Sequence, residues 1–193
     1  LFMSRTLTSN PELFSDLSWD LLLQGEETAK KWKHDEFNIE HIIQTLFTTR
    51  KFTNFVNNLS IDVDIVLDIT ENFLEENRTS DSDILTIGED LELVLDEANH
   101  IKLQWGSNLI EIPHLLMAIA KDERLGYFVF EQGNLSLEKL EEELKIFPIY
   151  NTQNFINPKK QLVEDSPSLK SLSKSVDKSS IQKLSDIDNT KNE

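Results

Sequence analysis

The sequence predicts an all-α fold of two pseudo-twofold-related four-helix repeats, about eight helices in all, followed by a disordered C-terminal tail. Three observations predict it: apolar residues recur at helical spacing, the chain matches itself after a shift of 73 residues, and aromatic residues stop before residue 158. The chain has 193 residues with only five glycines and five prolines. This low content of turn residues argues against a β-sandwich.

Helical periodicity covers most of the body, and no strand alternation of useful length interrupts it. Ser15 is a candidate N-cap, because its hydroxyl can accept a hydrogen bond from a free amide of the first turn. The polar run at 75–82 predicts a connector. The predicted helices are 16–32, 39–50, 62–76, 88–105, 112–121 and 136–147, with shorter ones at 53–58 and 126–132.

The internal repeat sets the architecture. After the 73-residue shift, Trp32 falls on Trp105, Ile39–Ile43 on Ile112–Leu116, and Phe55 on Phe128. Two copies of a unit with one apolar face bury those faces best against each other, so we expect a pseudo-twofold domain with a groove where the copies meet. The predicted domain is 10–150, with repeat 1 at about 12–76 and repeat 2 at about 85–149.

Charge is divided unevenly between the body and the end of the chain. Residues 158–193 contain seven lysines, six acidic residues and no aromatic residue, so they bury too little apolar surface to offset the entropy lost on ordering. We predict a disordered tail at 151–193 and a disordered N-terminus at 1–9. Most of the net charge of −16 therefore belongs to the helical body.

Composition excludes several classes of function. A net charge of −16 argues against nucleic-acid binding and against a polybasic membrane-surface binder, since both depend on lysine and arginine. The absence of cysteine excludes disulfides, thiolate metal sites and cysteine nucleophiles. The longest apolar run, Leu115–Ala120, is too short to span a membrane. We expect a cytoplasmic protein, or one of the plastid stroma if the source organism has plastids.

The candidate chemical groups favour structural roles. His41 and His114 occupy equivalent positions in separate repeats, so we expect them to pack or cap helices, whereas a metal ion needs several converging ligands. Acidic runs such as Glu141–Glu143 are expected to be solvated helix faces. Trp32 and Trp105 are expected in or near the core at helix ends. We therefore predict no catalytic residue, no cofactor and no metal site.

The repeated motifs resemble the Clp amino-terminal repeat domain, the module at the front of Clp ATPases and ClpB disaggregases. The residues that carry the resemblance are Asn10–Ser15 before Trp19, Ile39–Ile43, and Ile112–Gly126. The last of these looks most like ClpB of photosynthetic bacteria. The resemblance covers roughly residues 10–147 in order.

The resemblance implies a docking module. Domains of this family present an apolar groove to unfolded polypeptides or adaptors. The sequence contains no Gly-x-x-x-x-Gly-Lys-Ser/Thr loop, so we expect a non-enzymatic binding module without ATP hydrolysis. Its expected partners are a polypeptide, a Clp ATPase, ClpB or Clp protease subunits, and we expect a monomer.

Five residues are candidates for partner binding, and the resemblance suggests three of them. Ser15 keeps a hydroxyl that ClpB members carry in the opening helix, whereas Ser107 and Pro113 stand where those members carry acidic residues. Leu109 and Ile110, beside Pro113, are candidates to line the groove, although a place in the buried core is the favoured interpretation.

Other functions remain open from the sequence alone. The chain is alternatively an accessory subunit that docks on the Clp protease core, or a degenerate ClpB remnant. An enzyme built on a helical bundle is a further alternative, and it requires acidic or histidine side chains that cluster toward the interior.

Overall fold

The structure is a computed structural model of the 193-residue chain, and it describes residues 5–77 and 79–147. The predicted tail at 151–193 and residues 1–4 lie outside the described residues. Nine α-helices account for most of the described residues, and the only strands among those residues are two residues long. The predicted all-α class is confirmed.

The first repeat follows a short helix and a turn. Helix α1 (Arg5–Thr8) and a 3-10 turn (Pro11–Leu13) precede the repeat. The repeat then contains α2 (Asp16–Lys31), β1 (Glu36–Phe37), α3 (Ile39–Thr48), α4 (Thr53–Val56) and α5 (Val63–Glu76).

The second repeat has the same order of helices, but its strand precedes the first long helix instead of following it. It contains β2 (Thr86–Ile87), α6 (Glu89–Gln104), α7 (Ile112–Ala120), α8 (Gly126–Gln132) and α9 (Leu137–Lys145). All eight predicted helices are present, and each observed end lies within two residues of the predicted one.

Side-chain caps explain where three of these helices begin. Ser15 accepts a hydrogen bond from the backbone N–H of Ser18 at 3.2 Å, as predicted for an N-cap. Asp62 and Ser136 cap α5 and α9 in the same way, three residues before the donor. These caps set where α5 and α9 begin, and α9 contacts the first repeat through Glu143, which accepts a hydrogen bond from the N–H of Ser60.

The core is built around α3 and α7, the two most apolar helices. Every residue of α7 is buried, and so are eight of the ten residues of α3. Helix α2 packs on α3 and α6 packs on α7, while α5 crosses to pack against α8 of the other repeat. The two repeats therefore share one continuous core.

Two short parallel pairings join the repeats, and the sequence did not predict them. In one, Phe37 of β1 pairs with Ile87 of β2. In the other, Phe14 pairs with Ile110. A shift of 73 residues converts one pairing into the other, so both follow the same pseudo-twofold axis. We call the Phe14–Ile110 pairing the first junction and the Phe37–Ile87 pairing the second junction.

The structure differs from the sequence expectation at the N-terminus. We expected residues 1–9 to be disordered, but Arg5–Thr8 form α1 and Leu7 is buried in the core. The physical reason is a tertiary contact, because α1 packs on α6 and burial of Leu7 stabilises it there. Within the described residues, no helix combines the length and the apolarity that crossing a membrane requires.

Candidate functional site

The first junction brings together the residues that the sequence singled out. The backbone N–H of Ser15 donates to the carbonyl of Ile110 at 3.1 Å, and the N–H of Ile110 donates to the carbonyl of Leu13 at 2.8 Å. The hydroxyl of Ser18 also donates to the Ile110 carbonyl. Two donors and one acceptor, from Leu13 to Ser18, therefore hold the segment that leads into α7.

The five predicted partner-binding residues divide into two groups. Leu109 is 37% exposed, and Ser15 and Ser107 are partly exposed. Ile110 and Pro113 are buried, so they shape the junction from below and offer no surface to a partner. Their burial follows from their positions, since Ile110 forms the cross-repeat pairing and Pro113 lies in the first turn of the fully buried helix α7.

Two exposed leucines, Leu103 and Leu109, flank the loop that leads to the first junction, and we call them the apolar surface. Leu103, at the end of α6, is 64% exposed, and Leu109 closes the loop that follows it. Leu13 is half-buried, and its carbonyl accepts the hydrogen bond from the N–H of Ile110, the residue after Leu109. The loop turns sharply at Gly106, whose φ of +71° lies in the left-handed region that favours glycine. The sequence did not single out Leu103, although its polar neighbours in α6 mark that face as exposed.

Ser15 also influences Glu111, the N-cap of α7 in the other repeat. Burial raises the pKa of Glu111, and the Ser15 side chain partly opposes that shift. The hydroxyl of Ser15 donates to Oγ of Ser18 at 2.9 Å. At the second junction the equivalent of Ser15 is Gly88, where an added Cβ would clash with the side-chain amide nitrogen of Asn38. The two junctions therefore have the same pairing but different side chains at this position.

Both repeated histidines cap the helices in which they lie. Nδ1 of His41 accepts from the N–H of Asn38 at 3.0 Å, and Nδ1 of His114 accepts from the N–H of Glu111 at 2.8 Å. Burial lowers the pKa of each histidine to about 4, so both are neutral at pH 7. The capping role expected from the sequence is confirmed for both residues.

His34 extends this arrangement in the first repeat alone. Its Nδ1 lies 2.7 Å from Nε2 of His41. Because Nδ1 of His41 already accepts a hydrogen bond, we assign the proton of His41 to Nε2, from which it donates to His34. Burial also lowers the pKa of His34. Among the described residues, no group of three or more histidine, aspartate or glutamate side chains is placed to hold a metal ion.

The two tryptophans lie at helix ends, half-buried. Trp32 and Trp105 form the C-caps of α2 and α6, and each ring lies near a histidine ring. Lys145 places its ammonium group 5.2 Å from the centroid of the Trp105 ring. Trp105 therefore packs at the edge of the core, as the sequence suggested, whereas Trp32 contacts the ring of buried His34.

A partly buried ion pair connects the repeats. Arg124 contacts Glu40 at 2.6 Å and Asp90 at 2.7 Å, and Asn77 donates to the other oxygen of Glu40 at 2.7 Å. The side chain of Glu40 is only 4% exposed. Sequence reasoning did not find this network, because Arg124 is one of many charged residues and its partners are 84 and 34 positions away.

A cavity with a volume of about 460 Å³ is lined by residues other than those of this surface. Charged and hydroxyl side chains dominate its lining, which consists of Lys30, Lys33, His34, Ser80, Asp81, Ser82, Asp83 and Leu85. Its polar walls do not suit an apolar polypeptide segment.

The duplicated helical unit and its two junctions define a class of two-repeat α-helical domain. A family model for the Clp repeat (R) N-terminal domain matches residues 13–132. The chain belongs to this family.

Curated relatives and solved structures agree with this family. Chaperone protein ClpB 2 of Parasynechococcus marenigrum strain WH8102 is 38% identical over 140 residues, covering 72% of this chain and 16% of the relative. Chaperone protein ClpB 1 of Thermosynechococcus vestitus is 27% identical over 139 residues, with 71% and 16% covered. The chain thus spans about one sixth of the length of these curated relatives and is homologous to the N-terminal domain of ClpB.

The solved structures share the fold. The Hsp104 N-terminal domain of Candida albicans superimposes with a TM-score of 0.60 at 18% identity, covering 69% of this chain and 89% of that chain. The N-terminal domain of the ClpV1 ATPase from E. coli superimposes with a TM-score of 0.55 at 16% identity, covering 75% and 89%.

The ion pair between Arg124 and Glu40 predicts that mutations at two equivalent positions cost different amounts of stability. Arg124→Gln leaves the carboxylate of Glu40 buried without its cation, so we expect a loss of about 3 kcal/mol in the free energy of unfolding. The matched control is Lys51→Gln, at the equivalent position of the first repeat, where Lys51 forms an exposed ion pair with Asp20. That change should cost less than about 1 kcal/mol. Urea titration measures both, and equal losses would contradict the account.

The capping histidines predict how stability depends on pH. Their folded pKa values of about 4 lie below the ordinary value of 6.5, so the unfolded chain binds more protons between these limits. Their contribution is complete above pH 6.5 and is lost as the pH falls toward 4, by up to about 1.4 kcal/mol per pH unit for each histidine.

Comparing the parent chain with the His114→Gln variant isolates the contribution of one histidine to the pH dependence of stability. Glu111 and Asp96 have raised pKa values, and they act in the opposite direction at low pH. His114→Gln removes one titrating group, so the free energy of unfolding of the variant should fall less steeply than that of the parent between pH 6.5 and 4.5. Parallel profiles from urea titrations would show that His114 does not titrate as described.

Proposed function

We propose that this domain binds a polypeptide, either an unfolded chain or an adaptor, at the apolar surface beside the first junction, and that it does so without hydrolysing ATP. The observation that carries the proposal is the pair of exposed leucines, Leu103 and Leu109, at the two ends of the loop after α6. Exposed leucines that flank one loop are candidates for a protein contact, whereas single scattered leucines need no explanation.

The rigidity of the surrounding structure supports the proposal. Ile110 is held from both sides by the start of α2, and Glu111 caps α7 directly after it. A surface on a rigid support loses little conformational entropy when it binds, so more of the apolar contact appears as affinity. Membership of the Clp repeat family, together with its ClpB relatives, favours a polypeptide as the partner.

The charge of the body supports a preference among polypeptides. The whole chain carries a net charge of −16, and its acidic residues lie mainly in the helical body. Basic segments are therefore drawn to this surface, and the attraction acts mainly on the association rate. Neutral and acidic polypeptides rely on the apolar contact alone.

The test alters each of the two exposed leucines in turn. Leu103→Ser and Leu109→Ser should each weaken binding of a fluorescently labelled, carboxymethylated and permanently unfolded model protein by about tenfold, since each removes one apolar contact. Fluorescence anisotropy with the full 193-residue chain measures the affinity.

The control is Leu93→Ser, which alters an equally exposed leucine (60%) about 15 Å away along α6. Its affinity should match that of the parent chain, and circular dichroism checks that all variants remain folded. The same loss in all three variants, or no loss in any, would remove the proposed site.

A further inference from the structure

Helix α8 presents two adjacent aromatic side chains to the solvent. Tyr127 is 45% exposed and Phe128 is 50% exposed. Within the described part of the chain, neither ring stacks on another aromatic ring or lies beneath a cation. Exposed aromatic pairs are uncommon on a domain surface, because each ring forgoes a large gain from burial.

The first repeat shows what normally covers this position. Phe55 is the equivalent of Phe128 after the 73-residue shift, and each is the third residue of its helix. The ring of Phe147 stacks on Phe55 with centroids 5.6 Å apart and planes 13° apart, so Phe55 is only 9% exposed. A parallel phenyl ring from the other repeat is thus the natural cover.

The pseudo-twofold identifies the residue that should cover Phe128. Phe147 lies eleven positions after Ser136, the N-cap of α9, and Phe73 lies eleven positions after Asp62, the N-cap of α5, so this part of the repeats matches after a shift of 74 residues. Helix α5 packs against α8, as this symmetry requires.

Arg124 explains why the second stack is missing. Its guanidinium lies 4.9 Å from the centroid of the Phe73 ring, and Glu40 and Asp90 fix it there. The equivalent residue of the first repeat, Lys51, pairs with Asp20 on the surface and leaves Phe55 free to stack. Arg124, held by its ion pairs, therefore contacts the ring of Phe73 and leaves Phe128 uncovered.

An acidic notch lies beside the exposed rings. It has a volume of about 110 Å³. Two carboxylates, those of Glu131 and Glu138, and no lysine or arginine contribute to its walls. The complete lining is Tyr127, Phe130, Glu131, Leu135, Ser136, Leu137 and Glu138.

We propose that α8 and the notch form a second docking surface, which binds a polypeptide segment that presents an aromatic side chain next to a lysine or arginine. The aromatic ring of the segment stacks on Phe128 as Phe147 stacks on Phe55, and the cation lies between Glu131 and Glu138. The proposal does not rest on the function proposed for the first junction, because it involves none of the same residues.

The probe is a fluorescein-labelled peptide with the sequence Gly-Ser-Phe-Arg-Ser-Gly, titrated into the full chain. In ¹H–¹⁵N spectra, the backbone amides of residues 127–138 should shift as the peptide binds. Phe128→Ser should weaken binding about tenfold, and the double variant Glu131→Gln, Glu138→Gln about threefold with a weaker dependence on salt. Phe128, Glu131 and Glu138 are all exposed, so neither variant loses a buried contact.

Two controls make the result decisive. Leu93→Ser should leave the affinity unchanged, and peptides with Glu in place of Arg, or Ala in place of Phe, should bind at least about tenfold more weakly. Equal binding of the Arg and Glu peptides, shifts confined to residues 103–109, or no shift at millimolar peptide would each overturn the proposal. Shifts at 103–109 alone would support the first-junction surface instead, so failures of the two proposals are distinguishable.

Discussion

The fold depends on a short main-chain pairing in which each repeat completes the other. Phe14 pairs with Ile110 and Phe37 with Ile87, and in each case a segment that precedes a long helix of one repeat is bound to the segment that enters the central helix of the other. Phe14, Phe37 and Ile110 are buried, so the backbone groups of these residues need hydrogen-bond partners. Neither repeat can supply them alone, and the two helical units therefore form one domain.

Departures from the pseudo-twofold symmetry determine where the surface is available to partners. Glu40 is buried and paired in the first repeat, whereas Pro113 occupies its place in the second. Arg124 replaces Lys51 and draws Phe73 into the ion-pair network. Each such exchange keeps the helices in place but changes what is left exposed. Leu109 and Phe128 belong to the second repeat, which carries both proposed docking surfaces.

Much of the fold could be predicted from the sequence because it follows local rules. Apolar spacing located the helices, Ser15 marked the start of α2, and the equivalent positions of His41 and His114 pointed to a shared capping role. The 73-residue shift predicted the pseudo-twofold arrangement. All these signals lie within one helix or one repeat.

The remaining features depend on contacts between distant residues. Two-residue strands are too short to show alternation, so the junctions were not predicted. Periodicity cannot separate the exposed Leu109 from the buried Ile110, since a cross-repeat pairing decides which of the two is covered. Similarly, the exposure of Phe128 follows from the position of Arg124, which is set by carboxylates in two other helices.

Native-state hydrogen exchange tests the central claim most directly. The amides of Ser15 and Gly88 are equivalent donors, one at each junction, to the carbonyls of Ile110 and Phe37. If each repeat completes the other, both amides exchange only when the whole domain unfolds, and their exchange free energies equal the global free energy of unfolding. Exchange of either amide at a clearly lower free energy would show that one repeat opens while the other stays folded, which contradicts this account.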